Sequence, residues 1–137
     1  MIRGAIAAAA LAALLGFGCS AGRAANQRAL ADISSGRSGD EVVVEGTVAR
    51  MLRPEYGRDG EHERFVVTVS DGSHSADILI AHNVGIAPYV PLRRGDDVTV
   101  KGVLALDFGG PVIHWTHHDP RFRHDSGFIQ AHGRMYE

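Results

Sequence analysis

The sequence contains a single cysteine among its 137 residues, so the chain cannot form an internal disulfide or a zinc ribbon built from cysteines. It also lacks an excess of charge, because 14 lysine and arginine residues stand against 16 aspartate and glutamate residues, a formal net charge of −2. The chain therefore lacks the excess of positive charge that would indicate binding to DNA or to an acidic membrane. The apolar share of 45% is ordinary, which excludes collagen-like, coiled-coil and largely disordered chains and indicates one small domain.

The longest apolar run lies near the N-terminus and is too short to cross a membrane. It covers residues 5–15, whereas a spanning helix needs about 20 residues. A positive charge at Arg3 precedes the run, and small residues follow it at positions 16, 18 and 20–22. This arrangement is typical of a secretory signal peptide. We therefore predict a signal segment at residues 1–18 and an exported mature protein.

The cysteine, Cys19, follows this run directly. Its position resembles the signal of a bacterial lipoprotein, in which the cysteine is lipidated and becomes the first mature residue. That motif prefers leucine three positions before the cysteine, where Gly16 stands here, so ordinary cleavage after Ala21 or Gly22 is the alternative. A lone cysteine in an oxidising compartment is better explained by lipidation or removal than by a free thiol. Both interpretations place the protein in the periplasm or on a membrane through a lipid anchor.

The next segment, residues 19–40, is rich in alanine, serine, glycine and arginine. Leu30 and Ile33 could seat a short helix, but residues 34–39 have the composition of a linker. We therefore predict a tether over residues 19–40 and a folded domain over residues 41–137.

The predicted domain is all-β, because apolar and polar residues alternate with a period of two in five runs separated by glycine and aspartate. No segment after residue 40 sustains helical periodicity beyond about ten residues. The five runs lie at residues 42–49, 65–70, 76–80, 98–104 and 112–116.

Five strands with interior glycines predict a small, five-stranded, OB-like Greek-key barrel. Gly46 and Gly102 stand where closing so small a barrel requires sharp bending. The link at residues 83–94 lies where an OB-fold often carries a helix, although Pro88 and Pro91 allow only about one turn. A β-sandwich is the alternative, and it is disfavoured because five strands do not readily fill two sheets.

The segments around the histidines match the pattern of one protein family. They lie at residues 60–65, 81–83, 87–88 and 109–110, in the block His114-Trp115-Thr116-His117-His118-Asp119-Pro120, and at His124 and residues 127–128. Together they resemble a family of small exported bacterial proteins that is catalogued as a domain of unknown function and grouped with the OB-folds. The resemblance covers about residues 40–137, and it implies this fold and export but no activity. Phe128 departs from the pattern, where tryptophan is expected.

The histidines are the residues that indicate chemistry, since the sequence has eight and five of them lie within positions 114–132. Imidazole with a carboxylate suits zinc, copper, nickel or iron, and with one cysteine any such site must be built from histidine and aspartate. We predict a His-rich loop segment after the fifth strand that holds a divalent metal, zinc first. The candidate ligands are His114, His117, His118, Asp119 and His124, and the possible additional site residues are His62, His82, Asn83 and Trp115.

Two alternatives for this cluster stay open. The side chains could form a hydrogen-bonded corner, in which Asp119 turns the chain through its own carboxylate, or they could contact a ligand without a metal. Alternation along an extended fifth strand would place His114 on one face, and Trp115 and His117 on the other.

The leading functional hypothesis is an exported binding module whose site is the His/Asp cluster. A metal-dependent hydrolase of an extracytoplasmic phosphoester is the first alternative, and a structural or interaction protein of the envelope is the second. Whether the chain is an enzyme stays undecided at this point.

Nucleic acid is a poor candidate partner, although OB-folds often bind it with a cationic groove and stacked aromatic rings. Loss of Arg3 with the signal segment would change the net charge from −2 to −3. Arg93 and Arg94, like Arg121 and Arg123, are interpreted as solvated ends of turns. The predicted partner is a small ligand or an envelope component, with membrane contact only through a lipid anchor.

Overall fold

The computed structural model describes residues 17–137, which form one helix and eight strands in a single sheet. The sixteen residues before them, which include most of the predicted signal segment, lie outside the described part of the chain. The elements are α1 (Phe17–Ser34), β1 (Glu41–Met51), β2 (Glu55–Gly57), β3 (Gly60–Ser70), β4 (Ser75–Asn83), β5 (Asp97–Asp107), β6 (Gly110–His114), β7 (Phe128–Ala131) and β8 (Arg134–Tyr136).

Five of the strands close into a ring, in the order β1, β3, β4, β6, β5 and back to β1. All pairs in the ring are antiparallel except β4 with β6, which run parallel and share only the pairs Leu79 with Val112 and Ile80 with Ile113. A closed five-stranded Greek-key ring of this kind is the OB-fold. The predicted fold class is confirmed, and the β-sandwich is not the fold.

The alternating residues of the five predicted runs fill the barrel. Along β1, for example, Val42, Val44 and Val48 are buried and alternate with more exposed neighbours. The predicted runs correspond to β1, β3, β4, β5 and β6, while β2, β7 and β8 were not predicted. The apolar core contains Val42, Val44, Val48, Phe65, Val67, Val69, Ile78, Ile80, Val90, Val98, Val100, Leu104, Ile113 and Ile129, with Ala29 and Leu30 from the helix.

The two interior glycines lie where strands approach each other closely. A Cβ atom at Gly46 would collide with the carbonyl oxygen of Thr68, and one at Gly102 would collide with the carbonyl oxygen of His114. Glycine is therefore required at both positions for the tight curvature of the barrel.

The segment predicted as a tether is instead largely a helix that packs on the barrel. Residues 17–34 form α1, and Ala29 and Leu30 belong to the core. The side chain of Asn26 donates hydrogen bonds to the carbonyls of Glu45 (2.8 Å) and Ser70 (2.8 Å) and accepts one from the Glu45 N–H (2.8 Å). Only residues 35–40, which link α1 to β1, keep the character of a linker.

The link between β4 and β5 closes one end of the barrel without a helix. Ala87 and Val90 are buried there. The carbonyl of Pro88 accepts a hydrogen bond from His82 (3.1 Å), and the Val90 N–H donates one to Glu63 (2.9 Å). Two buried polar side chains thus anchor the segment that a helix occupies in other OB-folds.

Replacing Asn26 tests how α1 is held. We expect Asn26→Ala to lower the free energy of unfolding by about 2–4 kcal/mol, because three hydrogen bonds are lost and backbone groups of Glu45 and Ser70 become unsatisfied. Chemical denaturation measures the change. Gln27→Ala, at the exposed neighbouring position, is the matched control and should change the stability by less than about 0.5 kcal/mol. Equal stability of the two variants would contradict this role of Asn26.

Candidate functional site

A groove of about 490 Å³ lies on the outer side of the barrel, where β3 begins and β4 and β6 end. His62, Ala81 and His114 come from these strands and alternate with core residues such as Ile80 and Ile113. The opposite wall is the loop between β6 and β7. We call this site the histidine groove, and its lining residues are Asp59, His62, Ala81, Asn83, Ile86, His114, Trp115, His117, Asp119, Pro120, Arg121 and Arg123.

The structure brings most of the predicted site residues to this groove. His62, Asn83, His114, Trp115, His117 and Asp119 line it. Three predicted residues do not. His82 is fully buried inside the barrel, His118 is exposed outside the lining, and His124 lines a smaller neighbouring cavity of about 170 Å³ beside Trp115.

His82 has a structural position, since both of its ring nitrogens are engaged. Nε2 lies 3.1 Å from the carbonyl oxygen of Pro88, which can only accept, so Nε2 carries the proton. Nδ1 then accepts a hydrogen bond from the hydroxyl of Thr116 (2.8 Å). Burial lowers the pKa of His82 to about 4. The neutral side chain therefore links the segment between β4 and β5 to the loop between β6 and β7.

Glu63 lies opposite His82 on the neighbouring strand and is also buried. One carboxyl oxygen accepts the Val90 N–H, and the other, Oε1, has no hydrogen-bond partner. Burial raises the pKa of Glu63 to about 7, against the opposing effect of the hydrogen bond from Val90. A titratable pair therefore lies inside the barrel behind the groove.

Asp119 organises the loop that forms the outer wall of the groove. Its buried carboxylate accepts hydrogen bonds from the backbone N–H groups of Arg121 (2.9 Å), Arg123 (2.7 Å) and His124 (3.0 Å). The hydrogen bond from the Arg121 N–H is the main cause that holds the pKa of Asp119 below its usual range. This is the corner that the sequence offered as an alternative, and it leaves little capacity on Asp119 for a metal.

Asn83 is engaged in a similar way. Its amide donates to the carbonyl of Asp59 (2.9 Å) and accepts from the N–H of Gly85 (2.9 Å). The side chain therefore holds the turn between β2 and β3 against the end of β4.

The three histidines of the groove have different surroundings. His62 has its Nε2 3.5 Å from the carboxylate of Asp59 and its Nδ1 3.2 Å from the Gly60 carbonyl. His114 lies 3.9 Å from the carboxylate of Asp107. The Nδ1–H group of His117 donates to the carbonyl of His118 (2.6 Å), so Nε2 carries the lone pair of the neutral ring.

No three His, Cys, Asp or Glu side chains among residues 17–137 are arranged to hold a metal ion. The histidines share a groove, but the expected zinc site and the metal-dependent hydrolase stay predictions.

Trp115 lies outside the strand, whereas the sequence predicted an extended fifth strand over residues 112–116. Its φ of 58° ends β6 at His114, so alternation does not set the directions of Trp115 and His117. The indole ring lies 5.8 Å from the ring of His117 and 5.1 Å from that of His124. A Cβ atom at Gly127 would collide with the Trp115 carbonyl, so glycine lets the chain return past this point.

The arginines of the groove were not predicted as site residues. Arg121 and Arg123 line the groove because Asp119 fixes the backbone on which they stand. The signal in the sequence is the Asp-Pro pair followed by alternating arginines, which is consistent with a capped loop but does not reveal which way the side chains point.

Comparison with known proteins identifies a family but no activity. The model of the family described as "Protein of unknown function (DUF3465)" matches residues 11–137, and no curated protein matches the chain. Among solved structures, the crystal structure of the p204 HINb domain is similar, with 12% identity and a TM-score of 0.47 over 74% of this chain and 44% of that chain. The chain thus spans less than half of that structure, and the fold assignment rests on the strand order.

Replacing Glu63 tests the buried pair by its effect on pH dependence. His82 is neutral in the folded state, so its contribution of roughly 3 kcal/mol is present above pH 6.5 and is lost as the pH falls towards 4. Glu63 has the opposite effect. Its contribution to the free energy of unfolding is present at low pH and is lost as the pH rises from 4.5 to about 7. In the native protein the two opposite pH dependences of the free energy of unfolding therefore nearly cancel.

We therefore expect Glu63→Gln to become markedly less stable as the pH falls from 6.5 to 4.5, while the native protein changes little. Chemical denaturation at a series of pH values measures both profiles. Glu61→Gln, on the same strand and partly exposed, is the control and should keep the native profile. Identical profiles for Glu63→Gln and the native protein would show that the pair does not titrate in this way.

Proposed function

The chain belongs to the DUF3465 family of unknown function, and we propose that it is a binding module that takes a small anionic ligand in the histidine groove. The observation that carries the proposal is the convergence of two arginines and three histidines on one groove. A cavity of about 490 Å³ lies within the range of small-molecule sites.

The balance of charge in the groove favours an anion. Arg121 and Arg123 are permanently charged, and Arg123 reaches its nearest carboxylate, Asp119, only at 3.8 Å. The negative charge of Asp119 is already matched by three backbone N–H groups. Of the two carboxylates that line the groove, only that of Asp59 is exposed, and it lies beside His62. Guanidinium and imidazole donors can therefore meet a phosphate or carboxylate group.

The position of the groove on the barrel supports the same proposal. OB-folds bind their ligands on the face of the second and third barrel strands, next to the loop between the first and second. In this chain those strands are β3 and β4, and that loop contains β2 and Asp59. The fold alone does not determine function, but the polar side chains stand on this face.

The structural alternative accounts for a different set of residues. His82, Asn83 and Asp119 hold loops through hydrogen bonds and need no ligand to explain them. Arg121 and His117, by contrast, present donors or a lone pair at the groove.

The proposed compartment is extracytoplasmic, on the strength of the charged start, the apolar run and Cys19. Cys19 lies in the first turns of α1. No helix in residues 17–137 is long and apolar enough to cross a bilayer.

The anion site is tested by titration with inorganic phosphate, followed by the ¹H–¹⁵N NMR signals of the Trp115 indole and the arginine Nε–H groups. We expect saturable binding that weakens about tenfold or more in Arg121→Ala and in Arg123→Ala, since a hydrogen bond to a charged group contributes about 1.5–3 kcal/mol. Asp119→Asn should also weaken binding, because the arginines lose their fixed backbone.

The matched control is Arg28→Ala, which removes an exposed arginine of α1 far along the chain from the groove. It should bind phosphate like the native protein. Absence of saturable binding, or equal affinity in all of these variants, would refute the anion site.

Lipidation is tested by metabolic labelling of the full-length chain with a fatty acid in a bacterial host. We expect label on the native protein and none on Cys19→Ser, which should instead be released into the soluble periplasmic fraction. An unlabelled native protein in that fraction would favour ordinary cleavage, and a native protein in the cytoplasm would contradict export.

A further inference from the structure

Two bulky aromatic residues of the loop between β6 and β7 have backbone conformations that such residues rarely adopt. Among residues 17–137, three non-glycine residues have a positive φ, and two of these are Trp115 (58°) and Phe122 (52°). The left-handed region is sterically unfavourable for residues with a Cβ atom, and strain of this kind concentrates at functional sites. The third, His132, lies in the turn between β7 and β8, where this conformation is usual.

Phe122 gains nothing from burial that would offset this strain. Its side chain is 94% exposed at the tip of the loop, between the groove residues Arg121 and Arg123. The Phe122 N–H donates to the carbonyl of Asp119 (3.0 Å), and the Asp119 carboxylate holds the neighbouring N–H groups. The loop therefore keeps an aromatic ring in solvent on a residue that stands between two lining residues of the groove.

The backbone around Trp115 is also held by hydrogen bonds. The hydroxyl of the next residue, Thr116, is bonded to His82, and the N–H of Gly127 donates to the carbonyl of His117 (3.0 Å). The indole is 41% exposed and lines the groove. The groove thus has one aromatic wall, Trp115, and the loop that lines it carries one exposed aromatic ring, Phe122.

We propose that the anionic ligand also carries a planar aromatic ring, which stacks on Trp115 and is covered by Phe122 while its phosphate meets Arg121 and Arg123. A nucleoside monophosphate has this combination of groups. The proposal rests on the proposed function and names its ligand class. The net charge of −2 favours a free nucleotide over a nucleic-acid strand, whose binding depends on many cationic contacts.

The test compares three probes on the full chain: adenosine 5′-monophosphate, ribose 5-phosphate and adenosine. Quenching of the single tryptophan and calorimetry follow binding. We expect adenosine 5′-monophosphate to bind about tenfold or more tightly than ribose 5-phosphate, the effect of stacking one base. Adenosine should bind more weakly than its monophosphate by a similar factor.

Phe122→Gly distinguishes a functional residue from a structural one. We expect this variant to weaken binding of adenosine 5′-monophosphate about fivefold or more and to leave the affinity for ribose 5-phosphate unchanged. The same variant should raise Tm, because glycine removes the strain at an exposed position. The control Phe108→Gly removes a fully exposed phenylalanine from the turn between β5 and β6. It should leave the affinity for both ligands unchanged and should not raise Tm.

The outcomes separate this inference from the anion site. Equal affinities for ribose 5-phosphate and adenosine 5′-monophosphate would overturn the ring and leave the anion site standing. Equal affinities for adenosine and its monophosphate would overturn the anion site and keep the ring. Unchanged nucleotide affinity in Phe122→Gly would overturn the role of Phe122. Much tighter, length-dependent binding of an oligoadenylate would overturn the assignment to a free nucleotide.

Discussion

The imidazole of His82 joins two loops that are distant from each other in the sequence. On one nitrogen it binds the carbonyl of Pro88, in the segment that closes the barrel end, and on the other the hydroxyl of Thr116, at the start of the loop that walls the groove. A neutral ring with one donor and one acceptor fits this position, and burial disfavours the charged ring. The shape of the groove therefore depends on a residue that does not line it.

A second polar residue repeats this principle on the outer wall. The carboxylate of Asp119 replaces regular secondary structure as the partner of three backbone N–H groups, so a loop of thirteen residues between β6 and β7 keeps a defined form. Because one carboxylate holds three N–H groups, its removal affects several residues at once. The arginines at the groove owe their position to this backbone arrangement.

The barrel could be predicted from the sequence because alternation in runs such as residues 42–49 and 98–104 reports burial on one face. The strands β7 and β8 could not, since four and three residues are too few to show a period. The length of helix α1 could not be predicted for another reason. The helix contacts the barrel through only a few apolar residues, such as Ala29 and Leu30, and the polar Asn26, so its sequence lacks a strong apolar stripe.

The site was predicted in its members more than in its geometry. His62, His114 and His117 do line one groove, but the positive φ of Trp115 bends the chain where the pattern indicated a continuing strand. Such a conformation depends on contacts with residues distant in sequence, here Gly127 and His82, and no local pattern encodes it. For the same reason, arginines that look like solvated turn residues stand at the groove.

The short parallel seam between β4 and β6 has a consequence for how the barrel holds together. Only two residue pairs join these strands, while β3 and β4 share nine. The seam has the fewest paired residues of any joint in the ring, so we expect local opening to cost least there. The histidine groove lies across it, with Ala81 on one side and His114 on the other. A ligand bound there would bridge the joint and slow the separation of the two strands, so occupancy of the site and closure of the barrel are thermodynamically linked.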